Sequence, residues 1–358
     1  MSPVLPEVVG PVAAAVNERL AALLDGEVDR WSAVDPDLHE PFDALRRYVL
    51  AGGKRLRPAF CFWAFVGAGG RHEDPAVIDA GAALEMLHTA ALIHDDIIDG
   101  SPRRHGADTV HVRFTDLHRG RHWAGRPEHF GEGAAIVIGD LALVHSSRLM
   151  SPAPRAAAEV FEEMRLEVNV GQYLDVLGTA QGVTDPERGA ARAQQICRYK
   201  TAKYTIERPL HLGAALADPE RLADLSGPLS DFGLPLGEAF QLRDDILGVF
   251  GDPDVTGKPV ADDLREGKPT LLASLAASRV SGSRREWFSD RFGAPDLGDA
   301  DVATLQELIE DTGARSEVEQ AIAALVARSE TALEALPLTG EAIGALGQMA
   351  RFVAGRDR

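Results

Sequence analysis

Two groups of aspartates, Asp95-Asp96 with Asp99 and Asp244-Asp245, stand about 150 residues apart, each inside a stretch whose apolar residues recur with a helical period. Helical spacing sets Asp95 and Asp99 one turn apart on a shared face, with Asp96 beside them, so three like charges crowd together and repel. The flanks, Leu92-Ile93-His94 before and Ile97-Ile98 within, are too apolar for a solvated acidic patch, which makes a cavity the expected environment. A hard divalent cation relieves such crowding. Magnesium suits it best, because it takes oxygen ligands and is held by one or two carboxylates together with substrate phosphates.

The rest of the chain is written for helices. Its apolar fraction is 45% with only 6% aromatic, and it is rich in Ala, Leu, Glu and Arg, so an all-α fold is expected. No composition shift marks a cut in the 358 residues, which reads as one large domain, 1–358. A formal charge of -18 argues against nucleic acid or anionic lipid as a nonspecific partner. Cys61 and Cys197 form no paired-cysteine motif, so neither a disulfide framework nor a zinc site is implied, and a cytoplasmic location is expected. The N-terminal residues lack a basic, then apolar leader, and no uninterrupted apolar run of about 18 residues predicts a membrane span.

Periodicity predicts helices over about 7–24, a second ending at Ala51-Gly52-Gly53, 75–99, 134–149, 155–177, 187–216 with a bend at Pro209, and 222–250. The aspartate groups close two of these. A Gly-, Arg- and His-rich segment over 103–133 reads as a long surface loop with a short helix near 110–117, and 251–269 and 281–299 read as loop and linker.

Basic residues accompany the aspartates. Lys54, Arg55 and Arg57 follow a Gly-Gly break, where their cations can converge on a phosphate. His88 lies seven residues before Asp95, two turns along the same helix face. Arg103 and Arg104 follow the first group, and Lys258 and Lys268 the second, in Gly-containing loops able to fold over a metal-bound anion; solvated turns are the plain alternative for each.

Taken in order, GGKRLRP (52–58), LHTAALIHDDIID (87–99), GQYLD (171–175), YKTAKYT (199–205), FQLRDDILGVFGD (240–252) and GKPVADDLREGKPT (257–270) resemble the trans-isoprenyl diphosphate synthases, the polyprenyl synthetase family, closest to the bacterial geranylgeranyl diphosphate synthases. The resemblance implies a helical bundle with a central cavity, and condensation of isopentenyl diphosphate with an allylic diphosphate (dimethylallyl, geranyl or farnesyl). By it Asp95 and Asp99 would bind two Mg2+ ions and Asp244 a third, with Asp96 and Asp245 in support. Lys54, Arg57 and His88 match positions that hold isopentenyl diphosphate, and Arg104, Lys200 and Lys258 those that grip the allylic diphosphate; Thr201, Gln241, Gln172 and Asp175 match polar cavity positions. Homodimers predominate in the family. Cleavage of the allylic carbon–oxygen bond needs its departing negative charge stabilised and the alkene correctly placed, so no nucleophilic side chain is required.

Two positions depart from the family pattern: His105 stands for the second arginine of the usual pair, for which Arg103 is a substitute, and Gly248 replaces a third aspartate. Asp263 is expected to orient Lys258, and the C-terminal Arg351, Arg356 and Arg358 to be a solvated tail or a cap. Ala91, Leu87 and Leu84 lie about 6, 12 and 16 Å along the helix from Asp95. Ala90 and Ala91 are too small to block a growing tail, whereas Leu87 and Leu84 can form a deeper floor, which predicts a twenty-carbon product with longer chains as the competitor. A noncatalytic subunit of a heteromeric enzyme and a class I terpene cyclase are the rival readings; a cyclase has no use for the GGKRLRP site.

Overall fold

The computed structural model describes residues 5–104, 106–182, 186–251 and 261–355. The fold is all-α, as expected. It divides into two compact units: an N-terminal one, Leu5–Glu159 with Leu212–Arg221, and a C-terminal one, Val160–His211 with Leu222–Arg358.

In the N-terminal unit α1 (Gly10–Ser32), α2 (His39–Leu50) and α3 (Leu56–Gly67) surround α4 (Pro75–Ile98), which also packs along α6 (Pro127–Met150). Asp74 caps α4 by accepting from the Ala76 amide at 2.9 Å, and Pro75 pre-sets the first turn. Val77, Ala80, Ala83, Leu84, Leu87 and Ala90 are buried, so α4 is a core helix whose small residues let its neighbours approach. Both α4 and α6 are long and apolar enough to cross a membrane by composition alone; with 67% of its apolar window buried, α4 is explained by the core.

The segment over 103–133 is more ordered than a loop. Arg103–Arg104 (β1) pairs antiparallel with Ala107–Asp108 (β2), α5 covers Val110–Gly120, and α6 starts at Pro127 rather than 134. Gly-rich composition concealed a packed edge: the rings of Phe114, His118, Trp123 and Phe130 cluster with centroids 5.1–6.3 Å apart, Trp123 meeting His118 and Phe130 edge to face.

The C-terminal unit is built on α10 (Leu222–Phe250), whose Leu242, Ile246 and Val249 pack with Leu264, Leu272, Leu305, Ile309 and Val318. The expected helix over 187–216 is three elements: α8 (Pro186–Ile196), a π-helical segment (Cys197–Glu207) and α9 (Arg208–Ala217). The irregularity therefore precedes Pro209 instead of sitting at it. The expected linker contains a helix, Ser283–Arg291, and the loop after α10 a short one, Asp262–Glu266.

Candidate functional site

In the N-terminal unit the acidic group closes α4, where Asp99 is the C-cap and its amide donates to the Asp95 carbonyl at 2.8 Å. Gly100, at φ 63, then turns the chain back, and the β1–β2 hairpin returns Arg104 to the helix end. Its Nε donates to Asp96 Oδ1 at 2.6 Å, while Nη2 lies 3.5 Å from Asp95 Oδ2. The Tyr48 hydroxyl, from the last turn of α2, donates to the other Asp96 oxygen at 3.1 Å. Asp96 is 1% exposed, and its two oxygens accept from Arg104 and from Tyr48. Burial presses the Asp96 carboxyl upward from the usual range, against the pull of Arg104. Burial opposes the Arg104 charge too, but Asp96 outweighs it and the guanidinium stays ionised. Asp95 and Asp99 remain half-buried, on the face of α4 that also carries His88 and Ala91.

Consecutive strand residues point to opposite faces. Arg103 accordingly turns away from Arg104: it is 70% exposed and faces Asp108. His105 lies outside the described residues, as do Lys258, Arg356 and Arg358.

Arg55 is a second correction. It is 5% exposed and uses its guanidinium on Glu85, on Asn17 Oδ1 at 2.9 Å and on the Val49 carbonyl at 2.6 Å, so it cannot reach an incoming phosphate. Lys54 and Arg57, on either side, are half-buried at the surface of the loop and the first turn of α3.

In the C-terminal unit the second acidic group occupies the last turns of α10. Asp245 is 7% exposed and accepts from Gln241 Nε2 at 2.7 Å, while Gln241 Oε1 accepts from the Thr201 hydroxyl at 2.5 Å. Lys200 Nζ meets Asp175 Oδ2 at 2.6 Å. Adjacent residues on a regular helix point about 100° apart; Lys200 and Thr201 lie in the wider π segment, a form frequent at functional sites. Gly171 lets α7 (Arg155–Gln181) close on that segment, since a Cβ there would meet the Lys200 amide nitrogen at 2.5 Å. Glu167 pins the segment's far end, accepting from Lys203 and from Arg208 at 2.6 and 2.8 Å.

Burial, then the charges of Asp263, Asp244 and Asp175, push the Asp245 carboxyl up to about 8 despite the Gln241 hydrogen bond. Asp245 thus feels three other carboxylates here. Asp263 takes the place a side chain at position 248 would fill: a Cβ on Gly248 would lie 2.1 Å from Asp263 Oδ2. The glycine departure and the Asp263 approach are one feature. Lys268, half-buried, pairs with Glu266 in its turn. Among the described residues, no three His, Cys, Asp or Glu side chains converge to hold a metal ion unaided. Hard oxygen donors, mutually repelling and too few to complete a shell, fit magnesium that shares its coordination with phosphate.

The polyprenyl synthetase profile matches residues 39–311, through both units. The chain belongs to the polyprenyl synthetase family. As such it is a trans-prenyltransferase family enzyme, whose members use magnesium and isoprenyl diphosphate substrates. It is 32% identical over 324 residues to the geranylfarnesyl diphosphate synthase of Aeropyrum pernix, covering 88% of this chain and 93% of that relative. It is 32% identical over 271 residues to the (2E,6E)-farnesyl diphosphate synthase of Mycobacterium tuberculosis, covering 74% and 68% of the two chains. A solved structure of geranylgeranyl pyrophosphate synthase from Corynebacterium glutamicum, complexed with isoprenyl diphosphate and magnesium, matches with TM-score 0.88 and 37% identity over 97% of this chain and 99% of that one.

For a synthase of this family, motif reading missed the residues that hold the motif residues in place. Tyr48 and Asn17 carry no local signal. Glu85 does: it is a lone charge within the apolar run Ala82-Ala83-Leu84-Glu85-Met86-Leu87, and a buried acid in such a run needs a partner.

Proposed function

We propose that this protein condenses isopentenyl diphosphate head to tail (1'-4) with an allylic diphosphate, releasing diphosphate and making the twenty-carbon geranylgeranyl product, and that the two units act as one cytoplasmic synthase domain. The observation that carries this is the pairing, within the N-terminal unit, of half-buried Asp95 and Asp99 beside Arg104 with a separate basic loop bearing Lys54 and Arg57. One arrangement suits a metal-bridged diphosphate and the other a diphosphate held by cations alone.

In this reading Asp95 and Asp99 of the N-terminal unit, and Asp244 of the C-terminal one, would hold magnesium, three ions in all, and the metal would supply positive charge to stabilise the departing diphosphate. Arg104, Lys200 and Lys258 add cationic donors to the allylic diphosphate, while Lys54, Arg57 and His88 orient isopentenyl diphosphate so that its double bond reaches the allylic carbon. Gln172, Thr201 and Gln241 provide neutral dipoles. No protein nucleophile takes part, and the released diphosphate accepts the final proton.

Product length rests on α4. Ala91 is half-buried on the Asp95 face, Ala90 is fully buried, and Leu87 and Leu84 are buried at 2% and 0% exposure deeper along the helix. A longer product is the second reading, favoured by the similarity to a geranylfarnesyl synthase. Incubation with isopentenyl and farnesyl diphosphates, followed by sizing, decides: a twenty-carbon product is expected, and an exclusively fifteen-carbon or a very long product overturns the length assignment. Ala91→Phe should shorten whatever is made. A second copy of the chain is the proposed cover for α6, where Ile136, Val137 and Val144 are 47%, 57% and 54% exposed.

A further inference from the structure

Resting on the reading that the loop of Lys54 and Arg57 holds isopentenyl diphosphate, we propose that Glu85 and Arg55 form a positioning pair that sets the shape of that loop. Arg55 adopts φ +50, a left-handed backbone that a long side chain rarely takes, and it follows Gly52 and Gly53 at φ 128 and 132. Such a conformation persists only when its surroundings over-determine it. Here they do: the Arg55 side chain folds beneath its own loop into the core, where Glu85 of α4, Asn17 of α1 and the Val49 carbonyl of α2 each accept a hydrogen bond from it. Gly53 is part of the fit, since a Cβ there would lie 3.2 Å from Arg55 Nη1.

Three helices therefore fix one guanidinium, and that guanidinium fixes the peptide between the two candidate phosphate-binding cations. The Arg55 and Glu85 side chains are both 4% exposed. An apolar pair of the same volume would stabilise the core as well or better, so stability alone does not call for charges here. A polar lock does specify one backbone conformation. Glu85 also lies one turn before His88 on α4, which ties the loop to the third residue assigned to the same substrate.

The test is steady-state kinetics of the full-length protein with magnesium, varying isopentenyl and farnesyl diphosphates independently. Glu85→Gln and Arg55→Gly should each raise the KM for isopentenyl diphosphate by about fivefold or more, with the KM for farnesyl diphosphate held within about twofold. Arg55→Gly is diagnostic, because glycine relieves the positive φ while removing the lock. The double variant should be no worse than the poorer single one, as expected for residues acting as a unit. Should Glu85→Gln fail to fold, Asn17→Ala, which removes one neutral contact, should give a smaller shift in the same KM. Equal changes in both KM values, unchanged kinetics with a lowered Tm, or multiplying effects in the double variant overturn the proposal. A wild-type protein that consumes no isopentenyl diphosphate would instead overturn the functional reading beneath it.

Discussion

The two acidic helix ends solve the same electrostatic problem in different ways. At the end of α4 the chain supplies its own cation: Arg104 neutralises Asp96, Tyr48 fills the remaining oxygen, and Asp95 and Asp99 are left half-buried. At the end of α10 burial, and then the charges of Asp263, Asp244 and Asp175, instead raise the pKa of Asp245, and the neutral amide of Gln241 donates a hydrogen bond to it. The first site is pre-organised before any metal binds. The second gathers carboxyl groups around Asp245 and should gain more from a divalent ion, so the two should respond differently to substitution, pH and metal.

The largest effect is expected where both sites act alike. Asp95→Ala and Asp244→Ala should each lower the rate of diphosphate release by about 10²–10³-fold, and chelation of magnesium should abolish it. Asp96→Asn should separate the sites. It should raise the KM for the allylic diphosphate about tenfold through a loosened Arg104 while leaving the magnesium dependence unchanged. A shift in magnesium affinity instead would make Asp96 a ligand and erase the contrast.

Gly248→Ala should act on the other side of the comparison. Its methyl group displaces Asp263, which should cost about 1–3 kcal/mol of stability in denaturant titration and weaken magnesium binding by calorimetry.

The smallest expected effect is in pH. Asp245 has a folded-state pKa raised to about 8, so its contribution to stability is full below the unfolded carboxylate range and is lost as pH rises through the folded value. Without metal, Tm should fall between about pH 4 and pH 8 by an amount that Asp245→Asn removes. Magnesium binding near pH 7 should release a proton, detectable as a buffer-dependent enthalpy. A pH-independent metal-free Tm would show that the α10 end is neutralised as fully as the α4 end.

Much of this was legible in residue order. The boundaries of α4 and α10, expected over about 75–99 and 222–250, followed from apolar periodicity, because periodicity is local. The π segment was not legible, since one long periodic run hides a widened turn that is fixed by the close approach of α7 at Gly171. The packed hairpin and aromatic edge over 103–133 were hidden by glycines and charges whose contacts are nonlocal.

By itself, the sequence determined an all-helical chain, the family and the acidic and basic segments that carry its chemistry, because motifs and helical period are written in neighbouring residues. Tertiary structure decided which member of each cluster faces outward. Arg55 lies beside Lys54, and Asp96 beside Asp95, with the same charge in each pair; only the distant partners Glu85, Asn17, Tyr48 and Arg104 turn one of each inward. A buried charge must find its counter-charge or hydrogen bonds wherever the fold brings them, and that location is not encoded in the spacing of the motif.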